Sequence, residues 1–435
     1  MTFRGYLPFL GSKLYGRRTT PLPPLLHQLF LTLSHLPSSP SNPYAAYLNG
    51  PEFEAYIASH FNRMAEFAYF KPMKDQSDQL RDLVISRVRN SHFSRWLMLL
   101  CARICESIVE GDRSQNELHL RWIGDIEAAI RRRLSRDPTP REEEALRGDW
   151  LEVSLVSTAL GHSSNAYLVL HNATPTFLQS VYSLPDLWEG SSNPVLLPLL
   201  NIIGSKHHAL SAFTLMDCTC AMVFGLPQQV EYDTSAGSLS KEFLPHEWAH
   251  SAPTEFQILL VQINACRDKS AGARDWREIE HVLVHWQAHA AQHDESWESW
   301  MMVAWLAVQE SWRLALLAYL YLAVCECSSD DERIQRCVTQ ILQVVGTVKK
   351  HEDSDVNVPF FIQYLMAGIC AQSEKQRRTV RNKLSDTKET KFWMMPGADF
   401  VPVLNHLWHG AGSGGRPITW ADYIYSRKTL LPVPM

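Results

Sequence analysis

The chain has 435 residues, of which 46% are hydrophobic and 20% charged, and its formal net charge is −5. This composition is typical of a packed globular protein and excludes a mainly disordered one. Because a protein that grips the nucleic-acid backbone usually carries a basic excess, the charge balance also disfavours autonomous DNA binding.

The nine cysteines are scattered, mostly on apolar helical stretches, and no Cys-x-x-Cys pair occurs. This spacing excludes the common zinc-finger frameworks and predicts reduced, buried thiols in an intracellular protein. The first residues have charges within their apolar part, and neither a signal peptide nor a transmembrane helix is recognisable. We therefore expect a soluble protein without a membrane partner.

The N-terminal part begins with a basic arm, residues 1–22, and residues 23–435 are predicted to form one large helical domain. A first helix is predicted over 25–36, where it meets a loop rich in proline and serine. Thr139 and Pro140, followed by acidic residues, mark another helix start, because negative charge suits the positive end of the helix dipole. Further helices are predicted over residues 51–70, 77–109, 114–134, 205–225, 360–371 and 374–385.

The stretch Trp297–Cys327 is apolar on nearly every side of a helix, and we expect it to be the buried centre of the protein. Glu310 and Arg313 lie three positions apart in its middle, where they can pair. Only 12 uncharged residues follow, from Leu314 to Cys325, too few for the roughly 20 of a bilayer span. The sequence therefore predicts an all-α fold, a large multi-helix domain packed around a central buried helix near 297–327.

The segment His246–His250 matches the His-Glu-x-x-His motif, in which two histidines bind zinc and the glutamate is a general base. Its candidate ligands are His246 and His250, with Glu247 as the base. No third ligand follows at a zincin spacing, and the helix is interrupted at Ser251–Pro253. We favour a chain without catalytic, metal or cofactor residues, and a zinc-dependent hydrolase is the alternative hypothesis.

His281, His285, His289 and His293 are four residues apart, so neighbouring pairs on a helix can chelate a divalent metal. Because each step of four advances about 40° beyond a full turn, the row drifts around the helix and only neighbours can share an ion. Surface histidines on an amphipathic helix are the favoured interpretation.

Two short motifs resemble enzyme signatures but lack the required context. Residues 410–415 satisfy Gly-x-Gly-x-x-Gly, yet a predicted helix stands where a dinucleotide site needs a strand, so we interpret them as a flexible loop. Residues 161–165, Gly-His-Ser-Ser-Asn, lack both the second glycine and the preceding strand of a nucleophile elbow.

Two basic runs carry clustered positive charge on helical patterns. They suit contact with nucleic acid or a nuclear-import signal, but the apolar residues between the charges favour a solvated helix face in both. Their members are Arg131, Arg132, Arg133 and Arg136 in the first run and Lys375, Arg377, Arg378, Arg381 and Lys383 in the second.

Several stretches of the second half, taken as an ordered set, resemble the fungal-specific transcription factor domain. This is the helical regulatory region that lies C-terminal to the DNA-binding module of fungal binuclear zinc-cluster regulators. The stretches run in family order from about 205 to 426, and Glu247 and Trp248 match a Glu-Trp pair of the family, so that His246 is incidental. They are HALSAFTLMDCTCAMVFGLP, EWAHSAPTEFQILLVQIN, DWREIEHVLVHW, VQESWRLALLAYLYLAVCE, DERIQRCVTQI, PFFIQYLMAGICA with EKQRRTVRNKL, and WADYIYSR.

The chain departs from these regulators in one respect, since it has no window of six closely spaced cysteines beside basic residues. The resemblance therefore implies a non-enzymatic regulatory domain in the nucleus, without direct sequence-specific DNA binding. It implies transcription-related protein partners or self-association, with effector binding as a further route of control. A helical scaffold protein unrelated to transcription is the remaining alternative.

Overall fold

A computed structural model describes residues 48–110, 112, 114–191, 193–235, 244–289, 297–348, 357–386 and 395–434. The arm predicted for residues 1–22 and the helix predicted over 25–36 lie outside this part of the chain.

The described residues form an all-α fold, which confirms the predicted class. A parallel pair of two-residue strands, β1 Leu197–Pro198 and β2 Tyr232–Asp233, is the only strand pairing among them. None of the described helices combines the length and hydropathy needed to cross a membrane. The helices are α1 Pro51–Phe67, α2 Lys74–Asn90, α3 His92–Glu110, α4 Asn116–Leu134, α5 Pro140–Leu160, α6 Ala166–Tyr182, α7 Leu199–Ile203, α8 His208–Phe224, α9 Pro245–His250, α10 Thr254–Arg267, α11 Trp276–His285, α12 Ser299–Tyr319, α13 Glu332–Thr347, α14 Phe361–Ile369, α15 Glu374–Ser385, α16 Val401–His409 and α17 Trp420–Leu430.

Local signals set several of these helix ends. The Thr139 hydroxyl accepts a hydrogen bond from the Glu142 backbone N–H (3.4 Å) and caps α5 as predicted. The single helix predicted over 77–109 is wrong, because Ser91 is extended and divides it into α2 and α3. The Ser91 hydroxyl accepts a hydrogen bond from the Ser94 N–H (3.2 Å), so this serine starts the second helix.

The central helix is confirmed as the axis of the larger core. α12 continues into a π-helical turn, Leu320–Val324, and the C-terminal half of α12 is buried on almost all sides. The Glu310 carboxylate accepts two hydrogen bonds from Arg313, each of 2.7 Å, as the spacing predicted. Leu306, expected to be buried, is 39% exposed, because α10, α11, α13 and α14 pack against the other sides of α12.

Buried apolar side chains form two clusters. Helices α1–α5 build the smaller cluster, and the larger one is built mainly by the helices from α6 onward. α5 belongs to both, since Leu146 and Val153 lie in the smaller cluster while Leu151 and Leu155 lie in the larger. The single domain over 23–435 stays a prediction.

The C-terminal end of α8 is held by the guanidinium of Arg267, whose side chain is only 6% exposed. Its Nη1 donates to the Ala221 carbonyl (2.7 Å) and the Tyr319 hydroxyl (2.8 Å). Its Nη2 donates to the Leu226 carbonyl (2.6 Å), and Asp268 supplies the balancing carboxylate. A cation at a helix C-terminus satisfies carbonyls that have no partner within the helix.

The contacts around Arg267, which we call the Arg267 node, extend to the central helix and α17. The Tyr319 hydroxyl donates to Asn264 Oδ1 (2.8 Å), and Asn264 Nδ2 donates to the Cys218 carbonyl (2.9 Å). α8 ends at Gly225, which has a φ of +60°, and a Cβ there would lie 2.0 Å from Ile424 Cδ1. Glycine is therefore required both by the backbone and by the close approach of α17.

We expect Arg267→Met to lower the free energy of unfolding by about 3–5 kcal/mol, because the Leu226 carbonyl and the Tyr319 hydroxyl lose the donor that Arg267 supplies and Asp268 loses its ion-pair partner. Urea denaturation measures the change. Arg336→Met is the control, since Arg336 forms an exposed ion pair with Glu332 on α13 and should change stability by less than about 1 kcal/mol. Equal effects of the two substitutions would contradict the structural role of Arg267.

Candidate functional site

The zinc-motif segment forms α9, a helix of six residues that ends where Ser251 adopts a left-handed conformation. The predicted interruption at Ser251–Pro253 is confirmed, and α10 starts immediately afterwards at Thr254. His246 and His250 therefore lie on a single short turn of helix.

The candidate base, Glu247, caps two helices. Its carboxylate accepts the Leu244 backbone N–H (2.8 Å) at the start of α9 and the Thr254 backbone N–H (3.0 Å) at the start of α10. It also accepts the Thr254 hydroxyl (3.0 Å). Burial raises the pKa of Glu247, whereas these hydrogen bonds lower it. All three hydrogen bonds are made at helix N-termini, so helix capping accounts for a glutamate at this position.

His246 is buried against the same hydroxyl, with 2.9 Å between its Nε2 and Thr254 Oγ1. Because that hydroxyl donates its proton to Glu247, His246 Nε2 must carry the hydrogen in this contact. Burial lowers the pKa of His246 to about 3, so the ring is neutral. In the described part of the chain, no group of three or more His, Cys, Asp or Glu side chains is placed to hold a metal ion.

The histidine row is only partly helical. α11 ends at His285, and the rings of His281 and His285 stack with centroids 4.1 Å apart. His289 lies beyond the helix, where its backbone N–H and carbonyl bond to the Gln309 side chain (3.0 and 2.9 Å). The helix predicted through this row is therefore wrong after His285, and His293 lies outside the described residues.

Both glycine motifs join helices. Residues 410–415 connect α16 to α17 and contain a short 3₁₀ turn, Ser413–Gly415. Residues 161–165 connect α5 to α6, and Ser163 is buried with its N–H donating to Asp399 Oδ2 (2.9 Å). Each motif follows a helix and not a strand, which confirms the helical context that we predicted for both.

A buried carboxyl, Asp217, anchors the loop between α8 and α9. It accepts the Gln229 backbone N–H (2.8 Å) and the Tyr232 hydroxyl (3.0 Å), and thereby positions β2. Burial raises the pKa of Asp217 to about 7, although the hydrogen bonds act in the opposite direction. The group is an internal anchor that titrates near neutral pH.

The first basic run lies in the last turn of α4 and the residues after it. Arg133 donates to both carboxylate oxygens of Glu142 (2.7 and 2.6 Å), and the Arg131 guanidinium lies 5.0 Å from the Trp150 ring centre. Arg132 and Arg136 are exposed. Cations at the C-terminal end of a helix interact favourably with the helix dipole and stabilise the helix.

The second basic run lies on α15. The guanidinium groups of Arg377 and Arg381 lie over the ring of Trp408, 5.7 and 5.5 Å from its centre. Lys375 and Arg378 are exposed. We name Lys375, Arg377, Arg378 and Arg381 the α15 basic face.

A cleft of about 630 Å³ opens between the N-terminal end of α12 and the C-terminal end of α13. In its wall, the Trp300 indole N–H donates to Glu298 Oε2 (2.8 Å), and the Trp300 ring meets Tyr69 edge-on at 5.3 Å. Its volume falls within the range of small-molecule sites, although the cleft is open to solvent on one side. The lining residues are Trp297, Glu298, Ser299, Trp300, Val303, Ala304, Thr347 and Val348.

Residues 274–431 match the family described as the fungal specific transcription factor domain. This region is a fungal specific transcription factor domain. The resemblance that we drew from about 205 to 426 is thus confirmed from residue 274 onward, and the stretches before 274 lie outside the match. No curated protein and no solved structure matches the chain.

The fungal specific transcription factor domain contains α11–α17 and so includes the central helix, most of the cleft wall and the α15 basic face. The zinc-motif segment lies before it. Sequence reasoning missed the cleft, although seven of the 14 tryptophans lie between Trp248 and Trp312. That density predicted the core and did not distinguish buried Trp297 from half-exposed Trp300 in the cleft wall.

We expect Glu247→Ala to lower the free energy of unfolding by about 1–2 kcal/mol through loss of the helix caps, without changing the metal content. Urea denaturation and elemental analysis of the purified protein measure the two quantities. Glu278→Ala, at an exposed position on α11, should affect neither. One zinc per chain in the wild type, lost in His246→Ala and His250→Ala, would instead support the hydrolase.

Asp217→Asn tests the buried carboxyl. The pKa of Asp217 is about 7 in the folded state and about 3.9 in the unfolded chain, so its contribution to stability is present below about pH 4 and is lost as the pH rises through 7. The free energy of unfolding of the wild type minus that of the variant should fall between about pH 5 and 7. Above about pH 8 it should be constant. Urea denaturation at each pH measures the difference, and a flat difference throughout would contradict the assignment.

Proposed function

We propose that this chain regulates transcription in the nucleus through protein contacts of its fungal specific transcription factor domain. The observation that carries the proposal is the family match over residues 274–431, which extends from α11 to α17. The proposed partners are transcription-related proteins or a second copy of the chain. No catalytic step is included.

Two properties of the sequence support action without a DNA-binding module of its own. The nine cysteines are spread from Cys101 to Cys370, so no six of them form a compact zinc cluster. The net charge of −5 is also unfavourable for neutralising a row of phosphates. DNA contact is therefore assigned to a partner.

The cleft beside α12 is the proposed site of a small-molecule effector. Val303, 57% exposed, and half-exposed Trp300 stand at its wall, next to buried Ala304. A ligand there would contact both the central helix and the end of α13. Its binding energy would act directly on the helix pair around which the domain is packed.

A tethering experiment tests the proposal. The full chain, fused to a DNA-binding domain of known operator, should change transcription of a reporter that carries this operator in a fungal host. The chain without the fused domain should leave the reporter unchanged and should not bind duplex DNA at physiological salt. An unchanged reporter with the fusion, together with exclusion from the nucleus, would favour a scaffold unrelated to transcription.

The cleft is tested in the same reporter. Val303→Trp fills the cleft, whereas Val284→Trp adds the same volume at a 50% exposed position on α11. We expect the reporter output to change with Val303→Trp and to remain at the wild-type level with Val284→Trp. Wild-type output from both fusions would contradict an effector role for the cleft.

A further inference from the structure

Three of the five cations of the second basic run lie at the end of α15 where they are unfavourable. α15 begins at Glu374, so Lys375, Arg377 and Arg378 fall within its first five residues. The positive end of the helix dipole favours acidic residues there and opposes cations. In the first basic run, by contrast, Arg131–Arg133 lie in the last turn of α4, where they stabilise the helix. Helix stability therefore explains the first run and does not explain the second.

Trp408 fixes the position of two of these arginines. The indole is 1% exposed, and its N–H donates to the Gly368 carbonyl (2.9 Å), so the ring is held in the core. Arg377 Nε donates to the Ala371 carbonyl (3.3 Å) and Arg381 Nε to Asn405 Oδ1 (3.2 Å). Within the described chain, the terminal amino groups of Arg377 make no hydrogen bond, and those of Arg381 make only a 3.7 Å ion contact with Glu374. Stacking on the indole preorganises both guanidiniums.

The face has an uncompensated charge. Successive residues of a helix are rotated by about 100°, which places Arg377, Arg378 and Arg381 on one side of α15. Among the described residues, Glu374 is the one carboxylate that pairs with these arginines, through a 3.7 Å contact with Arg381. Exposed Lys375 extends the positive charge beyond Arg378, so the four cations and Glu374 carry a formal charge of +3, on a chain whose net charge is −5.

We propose that the α15 basic face binds an acidic, carboxylate-bearing segment of a partner protein. The planar fork of arginine pairs with carboxylates through two parallel hydrogen bonds, and the start of the helix adds partial positive charge. Nucleic acid is disfavoured, because the chain is acidic as a whole and repels a phosphate backbone. The inference rests on the proposed function only in that the occupant is a protein.

Fluorescence anisotropy of the full chain tests the proposal. The probe is a labelled 12-residue peptide that alternates Asp or Glu with Leu, in about 50 mM salt, and a peptide with Asn and Gln in place of the acids is its control. We expect Lys375→Glu with Arg378→Glu to weaken binding of the acidic peptide about tenfold, from the loss and reversal of two exposed charges. Arg132→Glu with Arg136→Glu, which changes the net charge equally on α4, should stay within about twofold of the wild type.

Other outcomes would overturn the proposal. They are equal binding of the two peptides, an equal loss in both double variants, or tighter binding of a labelled DNA duplex that the α15 variant abolishes. A thermal melt separates binding from folding, because acidic residues at the start of α15 should leave the melting temperature unchanged or raised. The binding assay needs no reporter, so its failure and failure of the tethering experiment are distinguishable.

Discussion

The buried guanidinium of Arg267 at the end of α8 is the interaction on which the rest of the structure depends. The last carbonyls of a helix have no partner within the helix, and here the Ala221 carbonyl accepts both the Leu226 backbone N–H (3.1 Å) and the Arg267 guanidinium. A guanidinium has five donors in a fixed fork, so one side chain can satisfy the Ala221 and Leu226 carbonyls and still bond to Tyr319. Its charge is tolerated because Asp268 is adjacent.

This node lies on both sides of the family boundary. Arg267 and Asn264 precede residue 274, whereas Tyr319 and Ile424 belong to the fungal specific transcription factor domain. The packed core of this domain therefore includes residues that precede 274. α8 and α10 supply groups to its core, which is consistent with family-like stretches that begin near residue 205.

Helix positions were predictable from the sequence wherever periodicity and local signals agreed. The central helix, the Glu310–Arg313 pair and the helix end at Gly225 follow from spacing and backbone preference. The error in the histidine row arose where a distant contact decides the conformation. Gln309 holds the backbone of His289 outside a helix, and that contact joins residues 20 positions apart.

The candidate site shows a second limit of sequence reasoning. His-Glu-x-x-His specifies residue types, and glutamate, histidine and threonine serve helix capping as well as metal chemistry. The geometry around Thr254 distinguishes the two uses, because its hydroxyl donates to Glu247 and accepts from His246 Nε2. This arrangement depends on how α9 meets α10. The cleft could not be predicted either, because the sequence does not distinguish a tryptophan that packs in the core from one that lines a cleft.

Position within a helix separates the two basic runs, which look alike as strings of letters. Arg133 lies at the helix end where a cation is favourable, and it bonds to the Glu142 carboxylate. Both contacts stabilise the fold, so they account for an arginine at this position. Among the described residues Arg378 has no carboxylate partner, and it lies at the end of α15 that the helix dipole disfavours for a cation. Its neighbours Arg377 and Arg381 stack on an indole whose N–H is bonded to the Gly368 carbonyl. A Cβ at Gly368 would lie 2.7 Å from Leu404 and 2.9 Å from Val380, so α14 packs closely against α15 and α16 at this glycine. The recognition proposed for this face therefore uses charges held on a packed core, and α14 connects that core directly to the central helix.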